Sequence, residues 1–109
     1  MAAEDRTEER KGGVELKERD EQRLKKPRKY RVIILNDDFT PIEFVVGLVV
    51  NVFRKSHEDA ARITLEVHQK GAAVAGIYTH EIAETKCAIA LSYAAQNEHP
   101  LQLTMEPED

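Results

Sequence analysis

At 109 residues the chain has room for one domain with a single hydrophobic core. Its 41% hydrophobic content and lack of tryptophan suit a small soluble domain rather than a disordered chain. The net charge of −4 is unevenly placed: residues 1–26 carry eight acids and eight bases, so the twelve acids and eight bases of residues 27–109 hold the whole excess, a sign that argues against nucleic acid as a partner. The single cysteine, Cys87, excludes an internal disulfide and any cysteine-based zinc site, and its Ala and Ile neighbours at helical spacing mark it as a small core residue. No apolar run approaches the roughly 20 residues that span a bilayer. The first residues lack the apolar core of a signal peptide, and their acids argue against a transit peptide, so the expected location is cytoplasmic.

Residues 1–26 mix charges with two adjacent glycines and scattered aliphatics, too little apolar surface to offset the cost of ordering them. This stretch is expected to be a flexible charged arm, either a solvated tail or a tether for a partner. The domain then runs over residues 27–109. Tyr30 to Leu35 reads as a strand, with Tyr30, Val32 and Ile34 on one face and Arg31, Ile33 and Leu35 on the other. Because both faces are largely apolar, it should be a central strand.

Next comes Asn36-Asp37-Asp38-Phe39-Thr40-Pro41-Ile42-Glu43-Phe44. Thr40 and Glu43 stand at the spacing of a capping box, Pro41 at the first helical position, and Phe39 and Phe44 at the ends of a hydrophobic staple. That reading accounts for the cap without Asn36, Asp37 or Asp38. Three polar groups are left over at the end of a buried strand.

Apolar residues three and four apart predict a helix from Pro41 to Arg54. Ser56 caps a second helix, with Glu58 and Asp59 near its positive end and Gly71 as its left-handed terminator. Ala72 to Tyr78, interrupted by Gly76, is a second strand. Thr79 caps a third helix over His80 to Gln96, closed by Asn97. Residues 97–100 turn the chain, Leu101, Leu103 and Met105 alternate with polar residues as a last strand, and the tail beyond Pro107 should fray. The order β-α-α-β-α-β implies an α+β domain, a three-stranded antiparallel sheet covered on one side by three helices.

His68, with Thr64 and Val67, lies in the last turn of the second helix. A histidine on a half-apolar face reads either as a packed residue or as part of a site. Antiparallel packing of the two helices, joined by a short link, would bring it beside Asn36, Asp37 and Asp38. Two carboxylates, an amide oxygen and a neutral imidazole are acceptors, matched to a cation with several N–H donors such as a primary ammonium. Ile34, Thr40, Pro41, Ile42, Val45, Thr64, Val67 and Leu101 would wall a mostly apolar concavity around it. An ammonium beside an apolar pocket describes a free α-amine with a large hydrophobic side chain.

Asn36 to Val45, Val67-His68, the run Ala83-Glu84-Thr85-Lys86 and Asn97-Glu98-His99-Pro100-Leu101 resemble the ClpS adaptors of bacterial N-degron degradation, over about residues 26–105. The resemblance implies a β-α-α-β-α-β fold without catalytic activity or cofactor. It implies binding of proteins whose first residue is Phe, Tyr, Trp or Leu, and their delivery to the AAA+ unfoldase ClpA, through its N-terminal domain, for degradation by ClpP. Asn36, Asp38 and His68, with adjacent Asp37, match the positions that hold the α-amine; Ile34, Ile42, Val45, Thr64, Val67 and Leu101 match the side-chain pocket; and Glu81 and Lys86 match positions that meet the unfoldase. The arm, outside the resemblance, takes the family's role in handing cargo on. A monomer without metal or membrane association is expected.

Many members of the family carry Met at the positions of Ile42 and Thr64. Ile42 is stiffer, and Thr64 is smaller and carries a hydroxyl, so narrowed specificity for Phe and Tyr over Leu and Trp is expected. An enzymatic or metal site built on Asp37, Asp38 and His68 is the weaker reading, since no Ser or Cys nucleophile motif accompanies them and the four histidines lack metal-ligand spacing. A plain interaction domain docking through its third helix is the third.

Overall fold

The computed structural model describes residues 26–108. The arm expected over residues 1–26 therefore lies almost entirely outside the described residues. In chain order the elements are β1 (Lys29–Leu35), α1 (Ile42–Asn51), α2 (His57–Lys70), β2 (Ala72–Thr79), α3 (His80–Gln96) and β3 (Gln102–Pro107). Both β2 and β3 pair antiparallel with β1, so the strand with two largely apolar faces is central, as expected. Val32 and Ile34 are wholly buried on the helix-covered face, while Val74 and Ile77 of β2 remain exposed on the other. The expected α+β order and one-sided cover are present.

Small residues let α3 lie close to the sheet: Ala83, Ala90 and Ala94 form its buried face. α1 contributes Val45, Leu48 and Val49 to the core, and α2 contributes Ala60, Ile63 and Val67. Cys87 is half-buried at the edge of this core rather than inside it. Burial still pushes its thiol above the ordinary value, which disfavours a reactive thiolate. Gly76 pairs with Val32 at a register shift in the β1–β2 ladder. A Cβ there would collide with the ring and hydroxyl of Tyr78, which folds back over the bare backbone.

Several local expectations fail for identifiable reasons. α1 begins at Ile42, with Pro41 itself as the cap residue and no side-chain cap bond. The Pro41 carbonyl accepts from Phe44 N at 3.1 Å and Val45 N at 3.3 Å. Thr40 thus stands one position too early to close a capping box. Phe39 is 78% exposed and forms no staple; Phe44 instead meets the His99 ring edge-on at 4.6 Å. At its other end α1 stops at Asn51 rather than Arg54, and Arg54 takes a left-handed φ of 60° that turns the chain toward α2.

The second helix follows its signals: Ser56 Oγ accepts from Asp59 N at 3.1 Å and Gly71 closes it at φ 91°. Thr79 occupies the cap position of α3 without a side-chain bond. The last strand runs two residues beyond Met105, and Glu108 N donates to Lys29 O at 2.9 Å, so the chain is held past Pro107 instead of fraying there.

Candidate functional site

The end of β1 and the end of α2 are tied directly. Asn36 N donates to the carbonyl of Gly71 at 2.9 Å, where the chain leaves α2 for β2. This bond brings the polar cluster after β1 beside the last turn of α2, which carries His68. A concavity of about 350 Å³ opens between them.

Its wall contains Asn36, Asp37, Asp38 and His68, together with Thr40, Pro41, Ile42, Val45, Thr64, Val67 and Leu101. Of the residues expected at the pocket, only Ile34 is absent from the wall. It is wholly buried in the core, because its face of β1 turns toward the helices. Leu35 and Phe39 line the concavity instead. Strand alternation put Leu35 on the opposite face, but it is the last residue of β1, where the chain bends out of the sheet. Phe39, expected in the staple, makes no such contact, and it stands exposed at the rim.

The acidic loop divides its labour. Asp37 Oδ2 accepts from Phe39 N and Thr40 N, each at 2.9 Å, folding the loop upon itself. Asp37 is thus a structural residue that the capping-box reading missed; Asp-x-x before a Pro-led helix was the available signal. Burial raises the Asp37 carboxyl. The Thr40 hydroxyl, the two N–H donors and the charge of His99 outweigh that, so it titrates below its ordinary value of 3.8. The Thr40 hydroxyl is close enough to favour the ionised carboxylate, although it makes no hydrogen bond of standard geometry. Asp37 Oδ1 is buried and likewise lacks a hydrogen-bond partner among the described residues. Asn36, Asp38 and His68 are exposed.

On the apolar side, Val45, Thr64, Val67 and Leu101 are nearly inaccessible, at 3–6% exposure, so they form a rigid floor. Ile42, at 57%, stands at the lip. Thr64 Oγ1 donates to the carbonyl of Ala60 at 2.8 Å. Its hydroxyl is therefore spent on its own helix, contrary to the expectation of a polar group in the pocket wall. The site is thus two-sided: the cluster offers acceptor oxygens and an imidazole, and the floor offers hydrocarbon.

Away from the concavity, Glu81 is exposed in the first turn of α3. Lys86 is half-buried and turned inward, its Nζ 2.6 Å from the carbonyl of Val52. No group of three His, Cys, Asp or Glu among the described residues could hold a metal ion. No helix among them is long and apolar enough to cross a membrane.

The profile of the family described as "ATP-dependent Clp protease adaptor protein ClpS" matches residues 25–104. The chain belongs to the ClpS family. The Clp protease adapter of Maricaulis maris is 58% identical over 84 residues, 77% of each chain. That of Hyphomonas neptunium is 52% identical over 97 residues, 89% of this chain and 82% of the relative. Among solved structures, Agrobacterium tumefaciens ClpS2 bound to L-phenylalaninamide superposes with a TM-score of 0.74 at 40% identity, covering 76% of this chain and all of that one. This ClpS-family protein is accordingly a Clp protease adaptor and not an enzyme. The helices and strands that frame the concavity all lie within the matched region.

Proposed function

We propose that this adaptor captures proteins by their first residue, holding a free α-amine through Asn36, Asp37, Asp38 and His68 and a bulky hydrophobic side chain against Ile42, Val45, Thr64, Val67 and Leu101. The observation that carries the reading is that acceptors and hydrocarbon share one concavity of about 350 Å³. Asp38, Asn36 and His68 meet the ammonium, while Asp37 holds the loop and adds negative charge. The A. tumefaciens relative was solved with L-phenylalaninamide, a molecule that carries both a primary amine and a benzyl side chain, which supports the same division here.

Both halves of the ligand are needed. Burying an aromatic side chain contributes about 1.5–3 kcal/mol, and each charge-assisted hydrogen bond to the ammonium roughly 1.5–3. Association costs consume most of either contribution alone. Internal Phe and Tyr residues, which lack the amine, are thereby ignored. With a stiff Ile42 at the lip and a short Thr64 in the floor, the pocket favours Phe and Tyr over Leu and Trp by shape rather than by polarity.

Captured proteins pass to the AAA+ unfoldase ClpA and on to ClpP. Glu81 and the exposed side of α3 meet the unfoldase's N-terminal domain, Lys86 borders that surface, and residues 1–26 assist the transfer. The deciding experiment is fluorescence anisotropy with a Phe-led peptide, free and N-acetylated. Tight binding of the free peptide and none of the acetylated one is expected; equal affinity would refute the amine site.

A further inference from the structure

A second concavity, of about 360 Å³, adjoins the first across Ile42, which lines both. It is lined by Ile42, Val46, Gly47 and Val50 together with Glu43, Asn51 and His57. Ile42, Val46 and Val50 recur every four residues, so they form one stripe along α1. Single exposed aliphatics need no explanation. A stripe of three bordering a hollow is different: Ile42 is 57% exposed, and Val46 and Val50, beside the buried face of Val45, Leu48 and Val49, are only partly covered by the core.

Gly47 deepens the hollow. A glycine within a helix costs stability relative to alanine, and a Cβ at this position would meet no atom within 4 Å. Steric crowding therefore does not account for it, and its effect is to leave space beside the stripe.

We infer that this groove holds a second, aliphatic side chain of the captured protein, two to four residues after its first. The inference rests on the proposed capture of a free N-terminus in the first concavity. From there the chain can leave over the acidic loop, over the polar end of α2, or over Ile42. The last route leads straight into the second concavity, because Ile42 lines both. Val46 and Val50 lie one and two turns from Ile42, about 6 and 12 Å of helix rise, which an extended chain at about 3.3–3.6 Å per residue covers in two to four residues. The adaptor then reads a two-anchor N-terminal segment rather than one residue.

The test uses the full chain and Phe-led hexapeptides that are otherwise Gly, or carry a single Leu at position three, four or five. At one of these positions Leu should tighten binding by about fivefold or more, the scale expected for partial burial of one aliphatic side chain. In Gly47→Leu, which fills the groove without a backbone clash, and in Val50→Glu, which charges it, that gain should vanish while the affinity of the Gly-only peptide stays unchanged. Equal binding of the Leu and Gly-only peptides, or a gain that survives both substitutions, overturns the inference and leaves the amine pocket standing. Failure of every Phe-led peptide to bind overturns the amine pocket and the groove together.

Discussion

The ammonium of Lys86 lies 2.6 Å from the carbonyl oxygen of Val52 and 5.4 Å from the centre of the Tyr78 ring. Val52 follows the last residue of α1, where carbonyls lack helical partners. One side chain of α3 thus closes the end of α1 and stacks on β2. Lys86→Met, which keeps most of the length and loses the charge, should lower stability by about 1–2 kcal/mol. Urea denaturation followed by circular dichroism measures it, and an unmoved midpoint would mean that water replaces the ammonium without loss.

Asp37 gives a pH dependence with a definite sign. Its folded carboxyl titrates below 3.8, so its stabilisation is complete above the unfolded value of about 3.9 and is lost as pH falls through the lower folded one. Asp37→Asn should be less stable than the parent at neutral pH, and the gap should close on acidification below about pH 4. Asp37→Ala, which also loses the acceptor for the Phe39 and Thr40 N–H groups, should cost about 1 kcal/mol. A gap that stays constant from neutral to acid would remove the charge from the account.

His68 is exposed and in the last turn of α2. Truncation to Ala should leave the thermal transition within about 0.5 kcal/mol of the parent. The same change should weaken a Phe-led peptide by about tenfold, the worth of one charge-assisted bond. Loss of the folded circular-dichroism signal would instead identify a packed histidine.

Thr64 donates its hydroxyl to Ala60 O. Replacing the hydroxyl with a methyl in Thr64→Val should therefore change the affinity for a Phe-led peptide by less than about twofold. Thr64→Met, which lengthens a flexible side chain into the pocket, should instead alter the ranking among Phe, Tyr, Leu and Trp. Competition titrations with peptides differing only in their first residue read both. Equal affinity of the parent for all four would end the narrowed-specificity reading.

Removing residues 1–26 should spare peptide binding, since the whole concavity lies between Leu35 and Leu101. Degradation of a Phe-led substrate by the assembled ClpAP protease should fall. Unimpaired degradation would deny these residues a part in delivery.

Gly47 and Ile42 show how far pattern reading goes. Periodicity placed the buried face of α1 correctly, because burial of Val45, Leu48 and Val49 follows from spacing alone. It was silent about the flank of that face, since half-buried Val46 and Val50 look like more core in a helix that is apolar nearly all round. The loop before α1 shows the same limit. Thr40 has the identity and spacing of a cap, but the helix begins one residue later than that spacing requires, and Asp37 instead folds the loop through Phe39 N and Thr40 N.

Strand order, helix count, the Ser56 and Gly71 termini and the acidic cluster could all be read from residue identity, because each depends on local chemistry or on a repeating pattern. Three things required the folded chain. The Asn36–Gly71 bond joins groups 35 positions apart and so decides that His68 faces the acidic loop. Ile34 yields its expected place at the pocket to Leu35 because the sheet turns it into the core. Lys86 leaves solvent for Val52 because α3, packed on the sheet, carries it to a carbonyl just past the end of α1. In each case the deciding partner is distant in the chain, and no local preference encodes the direction in which a side chain meets it.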